Sequence, residues 1–87
     1  MQDISIGQIV ISTAGRDKDD KFVVLCIIDD QYVYISDGDI RKLEKPKKKK
    51  IKHLKILNYV AEDVKGKLES KEKLNNSEIR KLLKSID

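Results

Sequence analysis

Tryptophan is absent, phenylalanine occurs once and tyrosine three times, so the chain has no broad aromatic platform on which to stack a run of bases. One or two stacking positions are the most it can supply. Cysteine also occurs once. Cys26 therefore has no disulfide partner within the chain and no thiolate companion for a metal site, and its place in the apolar stretch 22–28 predicts a buried thiol acting as a small hydrophobe. His53 is the single histidine, which rules out a zinc set built on histidine and cysteine. There is no apolar run long enough to cross a bilayer and no charged, then apolar leader at the start, so the expected location is the cytoplasm. A nucleophile elbow, a phosphate-cradling glycine loop and a supported Ser/His/Asp set are missing as well. The expectation is a chain that is not an enzyme and takes no cofactor.

What is present fits one small domain: 87 residues, with hydrophobic and charged residues each at 39%. The net charge of +4 hides a division along the chain. Residues 1–40 carry three basic and eight acidic side chains, a net −5. Residues 41–55 carry nine basic and one acidic, a net +8, and residues 56–87 carry seven and six, a net +1. So much positive charge in one short stretch sets up a local field suited to a polyanion, whether a phosphate backbone or an acidic membrane surface.

The β-branched stretch 8–14 runs into Gly15 and the charged turn 16–21, and is expected as a strand. Residues 22–28 form a continuous apolar run bounded by turn signals, a strand whose two faces are both covered. The Asp29-Asp30-Gln31 turn joins it to a third strand over 31–36, in which Tyr32 and Tyr34 alternate with Val33 and Ile35. Residues 40–49, with the sole proline Pro46, are expected as an exposed basic loop, and a bent fourth strand follows over 50–56. From Asn58 onward Val60, Val64 and Leu68 fall four apart, which predicts an amphipathic helix interrupted by Gly66. Asn75 followed by Glu78 has the spacing of a capping box, opening a second helix with Ile79, Leu82, Leu83 and Ile86 on one stripe. These helices are expected to cover the outer face of the second strand.

With those residues in place, the stretch from Gly7 through Gly15, Arg16, Asp17 and Lys18, then Phe22-Val23-Val24 and Asp29-Asp30-Gln31-Tyr32-Val33, resembles the KOW family of RNA-associated domains. Arg41-Lys42-Leu43-Glu44-Lys45-Pro46-Lys47, the lysines that follow and Ile51-Lys52-His53-Leu54 resemble the basic segment of the archaeal and eukaryotic ribosomal protein family called L-fourteen-e, and above all its short bacterial relatives. The resemblance spans about residues 6–57, and Asn76-Ser77-Glu78-Ile79-Arg80-Lys81-Leu82-Leu83 is similar to the tail of those bacterial proteins. It implies a mainly β fold with C-terminal α structure. Residues 1–57 would form a small SH3-like barrel with a basic loop at 41–50, and residues 58–87 a helical extension packed on it. Gly15 would be the central glycine of the motif, at a turn where positive φ and a missing side chain both matter. The loop after it, Asp17-Lys18-Asp19-Asp20-Lys21, departs from the family by being acidic, which weakens RNA contact at its tip.

The expected RNA-binding residues are Gly15, Arg16, Arg41, Lys42, Lys45, Lys47, Lys48, Lys49, Lys50, Lys52, His53 and Lys55. Lysines neutralise phosphates more than they read bases, so the expected mode is shape-directed docking on ribosomal or other structured RNA. Ribosomal proteins would be the further neighbours. Arg16 has an alternative partner in Asp17, Asp19 or Asp20, and His53 is expected to make a structural or RNA-facing hydrogen bond. Tyr32 and Tyr34 share a face, where packing under the helices competes with stacking on bases. The acidic turns at Asp29-Asp30 and at Asp37 and Asp39 lack calcium-loop spacing and read as ordinary turns. A protein-interaction adaptor on the same barrel is the alternative function. Attachment to anionic lipid ranks last, because the basic segment has no apolar face.

Overall fold

The computed structural model describes residues 4–86. Five strands, β1 (Gln8–Ser12), β2 (Lys21–Ile27), β3 (Tyr32–Ser36), β4 (Lys47–Lys50) and β5 (Leu54–Val60), are followed by α1 (Glu62–Glu69) and α2 (Asn76–Lys84). The strands form one open antiparallel sheet in the order β4-β3-β2-β1-β5. A mainly β fold with two C-terminal helices is therefore what the chain adopts. Among the described residues no helix is long and apolar enough to cross a membrane.

Although they lie at opposite edges of the sheet, β4 and β5 are separated only by the 3-10 turn Ile51–His53. Five strands laid flat would put their edges about 19 Å apart, at about 4.8 Å per spacing. The four residue steps from Lys50 to Leu54 span at most about 14 Å even when fully extended. The sheet must therefore curl, bringing the adjoining ends of β4 and β5 towards each other. Register shifts between Gln8 and Val10 and between Val24 and Cys26 supply the bends. The buried Gln8 amide fills the first of these, donating to the carbonyls of Leu57 at 2.6 Å and Tyr59 at 3.2 Å.

Strand alternation divides the apolar residues between two layers. Inside the curl lie Val10, Phe22, Val24, Val33, Ile35, Ile51 and Leu54. Outside it, Ile9 and Val23 pack with Ala61, Val64 and Ile79 from the C-terminal segment, so the helices cover the outer face of β1 and β2 as the apolar run predicts. That cover ends short. The bulge turns Cys26 to the outside beyond the helices, and Cys26, Ile27 and Ile28 are exposed, contrary to the expected buried thiol.

Two further expectations are corrected. The stretch 47–49, expected as loop, joins Lys50 in β4, because its backbone completes the ladder of β3 whatever its side chains prefer, and the strand expected over 50–56 is interrupted by the 3-10 turn Ile51–His53, so β5 starts only at Leu54. Val60 belongs to β5 and α1 starts only at Glu62, since a spacing of four fits a strand's period as well as a helix's. The second helix opens as expected: the Asn75 side chain accepts from the Glu78 amide at 2.9 Å.

The loop between β3 and β4 is clamped to α2. Gly38, at φ +74°, lets the Asn76 carbonyl come so near that an added Cβ would stand 2.4 Å from it. Arg80 donates to the Gly38 carbonyl at 2.7 Å, and the Asn76 side chain accepts from the Leu43 amide at 2.8 Å. The acidic turn is used internally as well, with the Asp37 carboxylate accepting from the amides of Asp39 and Arg41. The chain that leads into β4 is thus held at several points.

Candidate nucleic-acid interface

The β3–β4 register sorts the four consecutive lysines. Tyr32 pairs with Lys50, Val33 with Lys49, Tyr34 with Lys48 and Ile35 with Lys47. Directly paired residues share a face, so Lys48 and Lys50 lie with the tyrosines on the outer side, while Lys47 and Lys49 lie with Val33 and Ile35 on the inner side. The run is two pairs with different surroundings.

Lys49 is only 9% exposed, and its Nζ donates to the Ala14 carbonyl at 2.9 Å, beside Gly15. Gly15 adopts φ +81°, the left-handed turn for which glycine is suited. Lys49 therefore fastens β4 to the turn after β1. Lys48 places its Nζ 4.6 Å from the centre of the Tyr32 ring, and Lys50 lies 5.9 Å from the same centre. Tyr32 thus has two ammonium groups close to its ring. Neither tyrosine belongs to the helix-packed layer, and Tyr34 is 37% exposed.

The remaining expected residues surround this face unevenly. Arg41 makes an ion pair of 3.1 Å with Asp17, whose carboxylate is nearly buried, so one of the three partners considered for Arg16 is taken by Arg41. Arg16 is exposed, and among the described residues its side chain has no ion pair or hydrogen bond. Lys42 and Lys45 are exposed in the loop before β4, Lys52 in the 3-10 turn and Lys55 on β5. Half-buried His53 contributes its backbone carbonyl, which accepts from the Thr13 amide at 2.9 Å. Glu44, the one acid of the basic stretch, is held by the Asn76 amide at 2.7 Å, and that hydrogen bond keeps its carboxyl below the ordinary value.

A groove of about 690 Å³ opens beside the 3-10 turn, with Ile4, Ile27 and Ile51 as its apolar lining. Asp29, Asp30, Lys50 and Lys52 also line it. The Asp29 carboxylate already accepts from the amides of Gln31 and Tyr32, both at 2.8 Å. Mixed charge makes this groove a poor bed for a polyanion, so the outer face of β3 and β4 is the better one. Among the described residues no group of three or more His, Cys, Asp or Glu side chains is placed to hold a metal ion.

Sequence reasoning missed the alternation within the lysine run and the pairing of Asp17 with Arg41. Four identical residues carry no periodic signal, and the ion pair joins positions 24 apart in the chain. Neither a protein-family model nor a curated protein matches this chain.

Proposed function

We propose that the chain is a non-catalytic RNA-binding protein, cytoplasmic and associated with translation, that docks on structured RNA through the outer face of β4. The observation that carries this reading is the placing of Lys48 and Lys50 beside Tyr32 and Tyr34 on a strand that the Lys49 bond ties to the turn after β1, and whose preceding loop is clamped to α2 at Gly38. Ammonium groups gathered at one ring on an ordered strand present their charge together to adjoining phosphates. Lys42, Lys45, Lys52, Lys55 and Arg16 supply outlying contacts, and Lys47 a further one from the inner side. Lys49, Arg41, Gly15 and the His53 backbone shape the surface. We further propose that the curled sheet is an SH3-like barrel of the KOW type. The strand order, the two bulges and the 3-10 turn before β5 support that.

A protein-interaction adaptor is the second reading, favoured by the other edge of the sheet. The lysines of β4 discourage strand addition there, whereas β5 is seven residues long, carries one charge and exposes Tyr59 at 46%. The double variant Lys48→Glu/Lys50→Glu separates the two. Loss of RNA crosslinked in cells, with the circular dichroism of the fold retained, supports RNA docking. Undiminished RNA together with unchanged protein partners supports the adaptor.

A further inference from the structure

Within the proposed RNA-binding role, on which this inference rests, we infer that Tyr34 is a stacking seat for one unpaired base. Lys48 and Lys50, gathered at the neighbouring Tyr32 ring, would hold the phosphates adjoining that base. The preferred ligand is then single-stranded RNA, or a structured RNA that presents a bulge or loop.

Three strands build the seat. Cys26 pairs with Tyr34, and Tyr34 with Lys48, which makes one row across the outer face. The next row runs from Ile28, whose amide donates to the Tyr32 carbonyl at 3.0 Å, through Tyr32 to Lys50. Rows two residues apart along a strand are separated by about 6.6 Å, and neighbours within a row by about 4.8 Å. The area so enclosed is the size of a nucleobase and its adjoining sugar.

The two tyrosines are not equivalent. Lys48 stands opposite Tyr34 in the ladder, yet its ammonium leans over Tyr32, where Lys50 also reaches. Among the described residues no cation covers the Tyr34 ring, which is 37% exposed beside the exposed Cys26. Tyr32 thus anchors the two lysines, and Tyr34 offers its ring face between apolar neighbours and positive charge. That combination takes a flat aromatic group carrying anions, because stacking uses the ring and the ammonium groups use the phosphates. Asp29 and Asp30 lie past Ile28, so negative charge closes the turn end and the phosphate path follows β4. A chain with so few aromatics seats one base here, or two at most.

The test uses the full chain with two fluorescent probes, a single-stranded oligouridylate and its abasic counterpart with the same number of phosphates. Wild type is expected to bind the oligouridylate more tightly. Tyr34→Ala should weaken that binding by about fivefold to a hundredfold. It should leave abasic binding and the salt slope unchanged, and Tyr34→Phe should bind like wild type. Equal wild-type affinity for both probes overturns the inference while leaving phosphate docking in place. Competition by oligoglutamate as effective as by oligouridylate overturns it too, in favour of an acidic peptide. Wild type that binds neither probe yet binds a structured RNA overturns this inference alone, and wild type that binds none of the three overturns the RNA-binding role with it. If Tyr34→Ala fails to fold, the comparison of the two probes on wild type still decides.

Discussion

Lys49, third in a run of four lysines, donates from Nζ to the Ala14 carbonyl at 2.9 Å and so ties the edge strand to the glycine turn after β1. Its neighbour Lys48 points to the opposite side of the sheet. Truncating either should have contrasting effects. Lys49→Met removes a charged hydrogen bond and leaves a carbonyl unpaired, and should lower unfolding stability by about 1.5–3 kcal/mol in a urea titration. Lys48→Met should cost about 1 kcal/mol or less, the range of an exposed cation–π contact. On RNA the order reverses: loss of Lys48 should flatten the log–log salt slope by about 0.7–0.9, and loss of Lys49 should leave it unchanged.

Glycines 38 and 66 should respond oppositely to alanine. Gly38→Ala places a Cβ 2.4 Å from the Asn76 carbonyl at a positive φ, and should destabilise by about 1–3 kcal/mol, with α2 loosened first in hydrogen exchange. Gly66 lies inside α1 with nothing within 4 Å of an added Cβ. Gly66→Ala should therefore stabilise by about 0.4–1 kcal/mol in the same titration.

Arg41 is expected to matter to the fold more than to the ligand. Its guanidinium is the ion-pair partner of the nearly buried Asp17 carboxylate. Arg41→Ala should lower stability by about 1–3 kcal/mol, and Asp17→Asn should partly restore it, because the uncompensated charge is then gone. Failure of the second change to restore stability in thermal melts would contradict this role.

The Lys67–Glu78 bridge between α1 and α2, at 2.6 Å, gives stability a pH dependence. The hydrogen bond from Lys67 holds the Glu78 carboxyl below its ordinary 4.5, and the same bond raises Lys67 above 10.5. A depressed carboxyl stabilises above its unfolded value and loses that contribution as pH falls through the folded one. A raised amine stabilises below its unfolded value and loses its share as pH rises through the folded one. The bridge therefore contributes across the neutral range and fades at both extremes, and because both groups are only half-buried and open to solvent, salt should shrink it. Glu78→Gln should remove the acid limb of this bridge from a plot of Tm against pH. The acid limb due to Glu44, whose carboxyl is held low by Asn76, should remain.

How far the sequence revealed this arrangement depends on whether the decisive contact is local. The alternation of Tyr32 to Ile35, the apolar run from Phe22 and the Asn75 cap state their own structure, and each forms where expected. The strand at Lys47–Lys50 does not, because lysine has little strand preference and its pairing is decided by β3. The basic island was legible as charge. Its division into one buried fastener and two outward ammonium groups was not, since it follows from register alone.

The most direct test of RNA docking through β4 is a filter-binding titration of a structured RNA across salt concentrations, comparing wild type with Lys48→Glu/Lys50→Glu. Contact with about five phosphates predicts a wild-type log–log slope of about −3.5 to −4.5, markedly reduced in the variant. A flat wild-type response, or an equal slope in both proteins, would contradict it.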